Sequence, residues 1–251
     1  MRYAAIEQPM IYREQPPDPR LARWVECSWT LHSDTPVHRY PVRPDGCQDL
    51  IYALSTGAQV VGTMTAEQRF DLAAGAHTFG IRFRPGMAGP FLGIAAAQLT
   101  DRTIALQDAW GSAARRVEAA IAGTPSPDAA VKVLSGLLRT PAPPNAVQLA
   151  IEAITSAHGD IDLDWVARHA GLSARQFRRR CLEESGLTPK HLCRVLRFRR
   201  ACALARPPAD WAQIAAAAGY FDQSHLIRDF HEFTGATPMS VFSNTHTAPI
   251  R

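Results

Sequence analysis

The carboxyl-terminal half of this chain contains the same short pattern twice, and this internal repeat limits the possible fold more than any other feature. The first copy runs from 166 to 189 and the second from 214 to 238. Each copy reads as a short helix, a turn that contains glycine, a second helix and then Gly-x-Thr-Pro. Matching positions lie 48 residues apart before the turn and 49 residues apart after it. This order of elements predicts two helix-turn-helix units, with one residue inserted in the turn of the second.

Each unit has a simple predicted packing. The short helix turns a face of Val or Ile and Ala towards the second helix, and the small alanines let the two helices approach closely. We expect Gly171 and Gly219 to take the sharp reversal between the helices, because a Cβ would resist it. The second helix is predicted to bury Phe177 in the first copy, and Leu226 and Phe230 in the second. Its opposite face stays polar.

That polar face carries side chains that can read the edges of bases in a major groove. They are Arg175, Gln176 and Arg179 in the first copy and Gln223, Ser224, His225 and Arg228 in the second. The alternative for each is an ordinary surface residue, or for His225 a capping or packing role. Arg178 and Arg180 lie beside this face and are predicted to contact phosphate. Trp165 and Trp211, which precede the short helices at similar spacing, are predicted to be core residues.

These residues carry a family resemblance. The segment from Ile214 to Phe230, IAAAAGYFDQSHLIRDF, followed by Gly-Ala-Thr-Pro at 235–238, closely resembles the signature of the AraC/XylS family of bacterial transcription regulators. The resemblance covers about 146–244. It implies that a long helix, here about Pro189 to Ala205, joins the two units, and that the second helices enter successive major grooves ~34 Å apart. His231 stands where the family usually has Lys or Arg.

The resemblance also implies the residues and partners of the site. The DNA-contacting positions that it predicts are Ser173, Arg175, Gln176, Arg178, Arg179, Arg180, Asp222, Gln223, Ser224, His225 and Arg228. The partners that it implies are double-stranded DNA, RNA polymerase, a small-molecule effector and a second copy of the chain, but no membrane. No cofactor is expected, and no enzymatic activity.

The amino-terminal part has a different pattern. Asp49 to Leu54, Gln59 to Thr63 and the stretch 79–86 are short apolar or alternating runs bounded by turn residues, which predicts strands. Residues 21–31 read as strand or helix. The stretches 41–51 and 80–86 are similar to the amino-terminal module of a subset of the same regulators, which implies a small cupin-like domain that senses or dimerises. The predicted fold class is therefore α+β.

Three prolines between 141 and 144 favour a stiff linker, and we place the domain boundary there. The predicted divisions are a sensory or dimerisation domain at 1–140, a linker at 141–145, a DNA-binding domain at 146–244 and a tail at 245–251. Two helices are predicted at 113–122 and 128–138. Their apolar face either mediates dimerisation or packs on the β-rich domain. It consists of Val117, Ala120, Ile121, Val131, Val133, Leu134, Leu137 and Leu138.

Charge is distributed unevenly along the chain. Residues 168–206 contain 11 basic side chains and only two acidic ones, a net charge of +9, whereas residues 1–144 have a net charge of +1. A dense basic block marks either a polyanion-binding face or a solvated helix face. The composition is that of a globular protein, with 46% hydrophobic and 20% charged residues. No apolar run approaches the ~20 residues of a membrane span, and the first residues lack a signal peptide, so a cytoplasmic location is expected.

An enzyme or a thiol or metal sensor in the amino-terminal domain is the competing hypothesis. Its candidate metal ligands are His32, His38 and His77, which are widely spread. Its candidate thiol is Cys47, beside Asp45 and Asp49, and a structural thiol is the alternative. The five cysteines form no C-x-x-C pair, so neither a disulfide framework nor a zinc site is expected. Cys181 and Cys202 occupy apolar helical positions and are predicted to be core residues.

Five aromatic residues form a last group. They either line a pocket in the amino-terminal domain or pack in its core, and they are Trp24, Trp29, Tyr40, Tyr52 and Phe83.

Overall fold

The computed structural model describes residues 10–206 and 209–243. The predicted tail at 245–251, and Pro207 and Pro208, which follow the predicted end of the long helix at about Ala205, lie outside the described residues. The amino-terminal part forms eight strands: β1 Met10–Gln15, β2 Val25–Ser33, β3 Val37–Val42, β4 Gln48–Ala53, β5 Gly57–Val61, β6 Gln68–Leu72, β7 Ala76–Phe83 and β8 Thr103–Ala105. Short 3-10 helices cover Pro19–Leu21 and Ala96–Gln98. The ambiguous stretch at 21–31 is therefore mostly strand.

Two antiparallel sheets result. Six strands pair in the order β1-β2-β7-β4-β5-β8, and β3 pairs with β6. Side chains alternate across the larger sheet, so Leu50, Val60 and Phe79 enter one hydrophobic core while Trp29 and Leu31 enter a smaller cluster with Cys27 on the other side. This mixed architecture confirms the predicted α+β fold class with a β-rich amino-terminal domain.

Four helices cover the first of these faces: α1 Gly89–Leu92, α2 Leu106–Trp110, α3 Ser112–Ala122 and α4 Pro127–Leu137. The predicted dimerisation face lies on α3, on α4 and just beyond α4. Five of its eight side chains are buried in the same core as the sheet: Val117, Ile121, Val131, Leu134 and Leu138. The prediction that these five side chains mediate dimerisation is therefore wrong, because they are already buried against the sheet. The alternative, packing on the β-rich domain, is the one observed.

The carboxyl-terminal part is helical: α5 Ala146–Ser156, α6 Leu163–His169, α7 Ala174–Ser185, α8 Pro189–Leu204, α9 Trp211–Ala217, α10 Gln223–Thr234 and α11 Pro238–Ser243. These helices enclose a hydrophobic core of their own, which extends in sequence from Val147 to Val241. Cys181 and Cys202 are buried in it, as predicted. The residues 141–145 lie between α4 and α5, outside any helix or strand.

The two tryptophans that precede the short helices behave differently. Trp211 packs against Phe230 and Phe242 at the edge of the core. Trp165 is 44% exposed, and its ring lies on that of His169 with centroids 3.8 Å apart. The prediction that Trp165 is a core residue is wrong, because α6 has only seven residues and its buried face is already occupied by Val166 and Ala167.

None of the helices within the described ranges is long and apolar enough to cross a membrane.

Candidate nucleic-acid interface

Both copies of the repeat fold into a helix-turn-helix unit with the same local devices. Asp162 caps α6 by accepting two backbone N–H groups, and Asp210 does the same for α9. The turns that follow contain Gly171 at φ +69° and Gly219 at φ +81°. These left-handed values confirm that glycine makes the reversal in each unit, since residues with a Cβ rarely adopt them. α6 with α7, and α9 with α10, are therefore equivalent pairs.

The second helix of each pair also begins with a capping residue. The Ser173 hydroxyl accepts the backbone N–H of Gln176 at 3.3 Å, and Gln176 Oε1 accepts the backbone N–H of Ser173 at 3.0 Å. In the second copy Asp222 Oδ1 accepts the backbone N–H of His225 at 2.8 Å and lies 2.9 Å from His225 Nδ1. This backbone hydrogen bond lowers the pKa of Asp222. Ser173 and Asp222 thus define where α7 and α10 start.

The predicted contact positions lie at the surface of these two helix starts. Phe177 in α7, and Leu226 and Phe230 in α10, are buried, as the repeat predicted. All eleven candidate positions are exposed: Ser173, Arg175, Gln176, Arg178, Arg179, Arg180, Asp222, Gln223, Ser224, His225 and Arg228. Each helix therefore presents a polar surface in its amino-terminal half.

Two acidic residues of α10 are held by one arginine of α8. Arg194 donates from Nε to Asp229 Oδ1 at 3.0 Å and from Nη1 to Glu232 Oε1 at 2.8 Å. These hydrogen bonds from Arg194 lower the pKa of Glu232. The same guanidinium lies 5.3 Å from the centre of the Phe233 ring. The acidic side of α10 is thereby turned to α8 and away from the capped, polar start of the helix.

The carboxyl-terminal end of α7 is anchored to the β-rich domain. Thr63 donates its hydroxyl to the carbonyl of Ser185 at 2.7 Å, and Thr100 donates its hydroxyl to the carbonyl of Gly186 at 2.9 Å. The last carbonyls of a helix lack intrahelical partners, so these two hydroxyls satisfy groups that are otherwise orphaned. Thr63 ends the predicted strand at 59–63 but lies in the loop after β5, and Thr100 also lies in a loop; no pattern in the sequence predicts that either contacts α7.

The carboxyl-terminal end of α10 is anchored to the same domain through the main chain. The backbone N–H of Glu67 donates to the carbonyl of Phe233 at 2.6 Å. The joining helix α8 is held as well, because Arg199 forms an ion pair with the partly buried Glu26 of β2. These contacts, together with those of Thr63 and Thr100, are called the interdomain contacts below. They hold the ends of both helices and leave their starts exposed.

The β-rich domain contains a cavity of about 590 Å³ lined by residues of both sheets and by Phe198 of α8. Of the five aromatic residues considered for a pocket, Trp29 and Tyr40 line it. The other three pack elsewhere: Trp24 and Phe83 each contact Phe91 of α1, and Tyr52 stacks on Phe79.

The candidates for a metal or thiol site are not brought together. The rings of His32 and His77 stack with centroids 4.0 Å apart, whereas His38 lies beside Asp71. Among the residues that the structure describes, no three His, Cys, Asp or Glu side chains are grouped as a metal site would require. Cys47 is buried, with its sulfur 3.5 Å from Glu26 Oε2, and burial raises the pKa of its thiol well above the ordinary value. A buried thiol with a raised pKa carries little of the reactive thiolate, which favours the structural interpretation of Cys47.

Comparisons with known proteins agree with this geometry. Residues 166–244 match the family model described as a helix-turn-helix domain, and residues 13–105 match one described as a domain of unknown function. No curated protein matches the chain.

Several solved structures are similar in part or in whole. A DNA-binding transcriptional dual regulator from Escherichia coli K-12 is 22% identical, with a TM-score of 0.33 over 39% of this chain and 89% of that chain. ToxT from Vibrio cholerae O395 is 10% identical, with a TM-score of 0.43 over 93% of this chain and 97% of that chain. Wild-type ToxT from Vibrio cholerae strain SCE256, bound to an unsaturated fatty acid, is 11% identical, with a TM-score of 0.41 over 96% of each chain.

The repeated, capped helix pairs and the match at 166–244 show that the chain carries a helix-turn-helix domain of the AraC type in its carboxyl-terminal part.

Proposed function

We propose that this protein binds specific DNA sequences by placing α7 and α10 in successive major grooves, and that a small molecule in the cavity of its β-rich domain regulates this binding. The observation that carries the proposal is the shared arrangement of the two helices. In both, the polar amino-terminal half is exposed while the carboxyl-terminal end is anchored to the β-rich domain. Exposed helix starts are the parts that helix-turn-helix proteins insert into a groove.

The candidate residues have distinct proposed roles. Arg179 and Arg228 suit guanine, whose two acceptors match a guanidinium, and Gln223 suits adenine. Gln176 has to release its capping bond to Ser173 before its amide can read a base, because the bond engages the oxygen that such a contact needs. The remaining candidates of α10, Ser224 and His225, are proposed base contacts. Those of α7 are Arg175 as a base contact and Arg178 and Arg180 as phosphate contacts.

A fixed separation of the two helices supports readout of a site with fixed spacing. α8 has 16 residues, so it spans ~24 Å and cannot stretch. The interdomain contacts hold α7, α8 and α10 against one rigid β-rich domain. We therefore propose that the two half-sites are one helical turn of DNA apart, and that one inserted base pair between them destroys binding because it rotates the second half-site out of reach.

Binding of the full chain to a fragment of its own promoter region, measured by gel shift at increasing salt, tests the proposal. We expect affinity to fall steeply with salt, because contacts to phosphate release counterions. The DNA with one inserted base pair should bind no better than unrelated DNA. Binding that is absent or independent of salt would contradict DNA recognition. If the DNA with the inserted base pair binds as tightly as the original DNA, the proposed pairing of α7 and α10 in successive grooves is wrong.

The proposed effector role rests on the position of the cavity. Phe198, which lines the cavity, belongs to α8, the helix that joins the two helix-turn-helix units. The neighbouring Arg199 is paired with Glu26 of the sheet. A molecule bound there is in direct contact with α8. A compound that raises the melting temperature of the full chain and also changes its affinity for DNA would support this role. A compound that binds without any change in DNA affinity would count against it.

The domain division and the remaining partners are also proposals. We propose a β-rich domain at 1–140, a linker at 141–145 and a DNA-binding domain at 146–244, because one hydrophobic core ends at Leu138 and the next begins at Val147. RNA polymerase and a second copy of the chain are the proposed protein partners. Sedimentation of the full chain, alone and with polymerase, tests both.

A further inference from the structure

The cavity of the β-rich domain has a composition that selects among possible ligands. Its volume of about 590 Å³ lies within the range of ~300–1,000 Å³ that small-molecule sites occupy. One wall is a face of the six-stranded sheet, from which alternate residues of each strand project. The opposite wall comes from β3 and β6, including Tyr40 and Phe70. The side chains at the sheet wall determine the charge of the site.

Three carboxylates surround one guanidinium at that wall. Arg82 lies 3.3 Å from Asp49, 3.4 Å from Asp45 and 3.7 Å from Glu14, and all four residues line the cavity. Their side chains are largely buried. Arg43, which also lines the cavity, is already paired with Glu67 at 3.2 Å. Asp45 and Asp49 share the guanidinium of Arg82, so the negative charges of these three residues exceed the positive by one, in a place where water screens them poorly.

Aromatic rings fix two of these carboxylates in place. Trp29 donates its indole N–H to Asp49 at 2.7 Å, and Tyr12 donates its hydroxyl to Glu14 at 2.6 Å. The two rings, with centroids 5.9 Å apart, both line the cavity. Gly80 lies directly opposite Trp29 in the sheet, and a Cβ there would come within 3.1 Å of the indole. The missing side chain lets the indole lie close against the sheet.

The pKa of Asp49 reflects the burial of this carboxyl more than the charges around it. Burial is the main cause that raises the pKa of Asp49 to about 6; Arg82 opposes this effect and the neighbouring Asp45 adds to it. One guanidinium is therefore not enough to keep this carboxyl at its ordinary acidity. A second cation beside it would stabilise the ionised form.

We propose that the cavity binds a small organic cation, with an ammonium group between the carboxylates of Asp45 and Asp49 and the rings of Trp29 and Tyr12, and with its apolar body towards Tyr40 and Phe70. Aromatic faces next to carboxylates are the chemistry that recognises ammonium ions in other proteins. This inference rests on the proposed effector role of the cavity. It excludes carboxylate ligands, which would meet the like charges of Asp45 and Asp49.

Matched probes test the charge requirement on the wild-type chain. Choline and 3,3-dimethylbutan-1-ol have the same shape and differ in the positive nitrogen, whereas phenethylammonium and phenylacetate have similar size and opposite charge. Calorimetry on the full chain without DNA should give each cation at least about tenfold tighter binding than its counterpart, equal to ~1.4 kcal/mol. Equal or tighter binding of the alcohol or of phenylacetate would overturn the proposal, and so would no binding of either cation at millimolar concentration.

Substitutions locate the site. Asp49→Asn and Asp45→Asn should each weaken binding of phenethylammonium about tenfold or more, whereas Asp108→Asn, at an exposed position of α2, should leave it unchanged. Asp45 is the less buried of the two, with 24% of its side chain exposed. If Asp49→Asn fails to fold, the result for Asp45→Asn therefore tests the assignment. Unchanged binding in a folded Asp45→Asn variant would place the cation elsewhere and overturn the assignment.

The measurement also separates this proposal from the proposed function. If the wild-type chain binds DNA in a salt-dependent manner but binds no cation, the proposed ligand class is wrong and the proposed DNA-binding function stands. Cation binding by a chain that does not recognise DNA would support the ligand class and contradict the proposed DNA-binding function.

Discussion

The two copies of the repeat share one scaffold and differ in charge. Both begin with a capping side chain, turn at a left-handed glycine and bury aromatic or aliphatic residues at equivalent places. Helix α7 contains four Arg and two Glu, a net charge of +2, whereas α10 contains one Arg, one Asp and one Glu, a net charge of −1 with His neutral. The same packing therefore supports two different surfaces.

This difference suggests a division of labour. The arginines of α7 form a dense positive surface, which attracts any DNA phosphate backbone regardless of sequence. The surface of α10 is mostly uncharged, with Gln223, Ser224 and His225 beside the one arginine of that helix, Arg228. We infer that the first copy contributes mainly affinity and the second mainly sequence preference.

The largest expected effects test the shared scaffold. Phe230→Ala and Phe177→Ala remove fully buried rings, one from each copy, and each should lower the free energy of unfolding by about 3–5 kcal/mol. Phe221→Ala is the matched control, because that ring is 92% exposed and its removal should change stability by less than ~0.5 kcal/mol. Urea denaturation of the full chain measures all three. A loss below ~1 kcal/mol for either buried ring would break the equivalence of the copies.

The next effect tests the sequence preference of the second copy. Arg228→Ala should weaken binding to the natural site by ~1–3 kcal/mol and relax the preference at one base pair, because a bidentate contact to guanine is lost. The measurement is fluorescence anisotropy with the natural site and with each single-base variant of that position. A uniform loss across all the DNA sequences would instead make Arg228 a phosphate contact.

The complementary change tests the first copy. Arg178→Ala should weaken binding to all DNA sequences to a similar extent and reduce the salt slope by about 1, since one phosphate contact is lost. Arg115→Ala, at an exposed position of α3, is the control and should leave the slope unchanged. If Arg178→Ala changes base preference and leaves the salt slope as it was, the assignment of affinity to α7 fails.

The smallest expected effect concerns how each copy is anchored. Thr63→Val removes a hydroxyl that holds the end of α7, and should cost ~0.5–1.5 kcal/mol in the free energy of unfolding. The end of α10 is held by the backbone N–H of Glu67, which a change of side chain does not remove. Because Thr63→Val removes an anchor of α7, it should also reduce discrimination against DNA with altered half-site spacing. Unchanged discrimination would mean that α8 alone sets the separation.

Local signals explain how well the helical part could be predicted. The repeat predicts a second helix after the turn at Gly171, and the structure has it at Ala174–Ser185, because Ser173 and Gly186 mark its ends within the chain itself. The prediction for Trp165 failed because burial depends on which face of a short helix meets the core, and spacing alone does not determine this. The DNA-contacting role of the eleven exposed positions stays a prediction.

Long-range contacts explain what could not be predicted. The strands at 49–54 and 59–63 were predicted from their apolar pattern, but their pairing with β7 joins segments distant in the chain. Arg82 and the carboxylates around it come from three separate segments of the chain, so no local motif predicts the group. The interdomain contacts made by Thr63 and Thr100 have the same origin. Sequence reasoning considered Asp45 and Asp49 only as neighbours of Cys47.

The position of Phe198 limits how such a protein can diversify. Its ring is part of the cavity wall and also packs on Phe230 and Phe233, with centroids 4.9 Å and 5.1 Å away. Remodelling this side of the cavity for a new compound disturbs the support of α10 at the same time. Relatives that respond to other compounds should therefore vary at β3 and β6 and retain an aromatic residue at the position of Phe198 in α8.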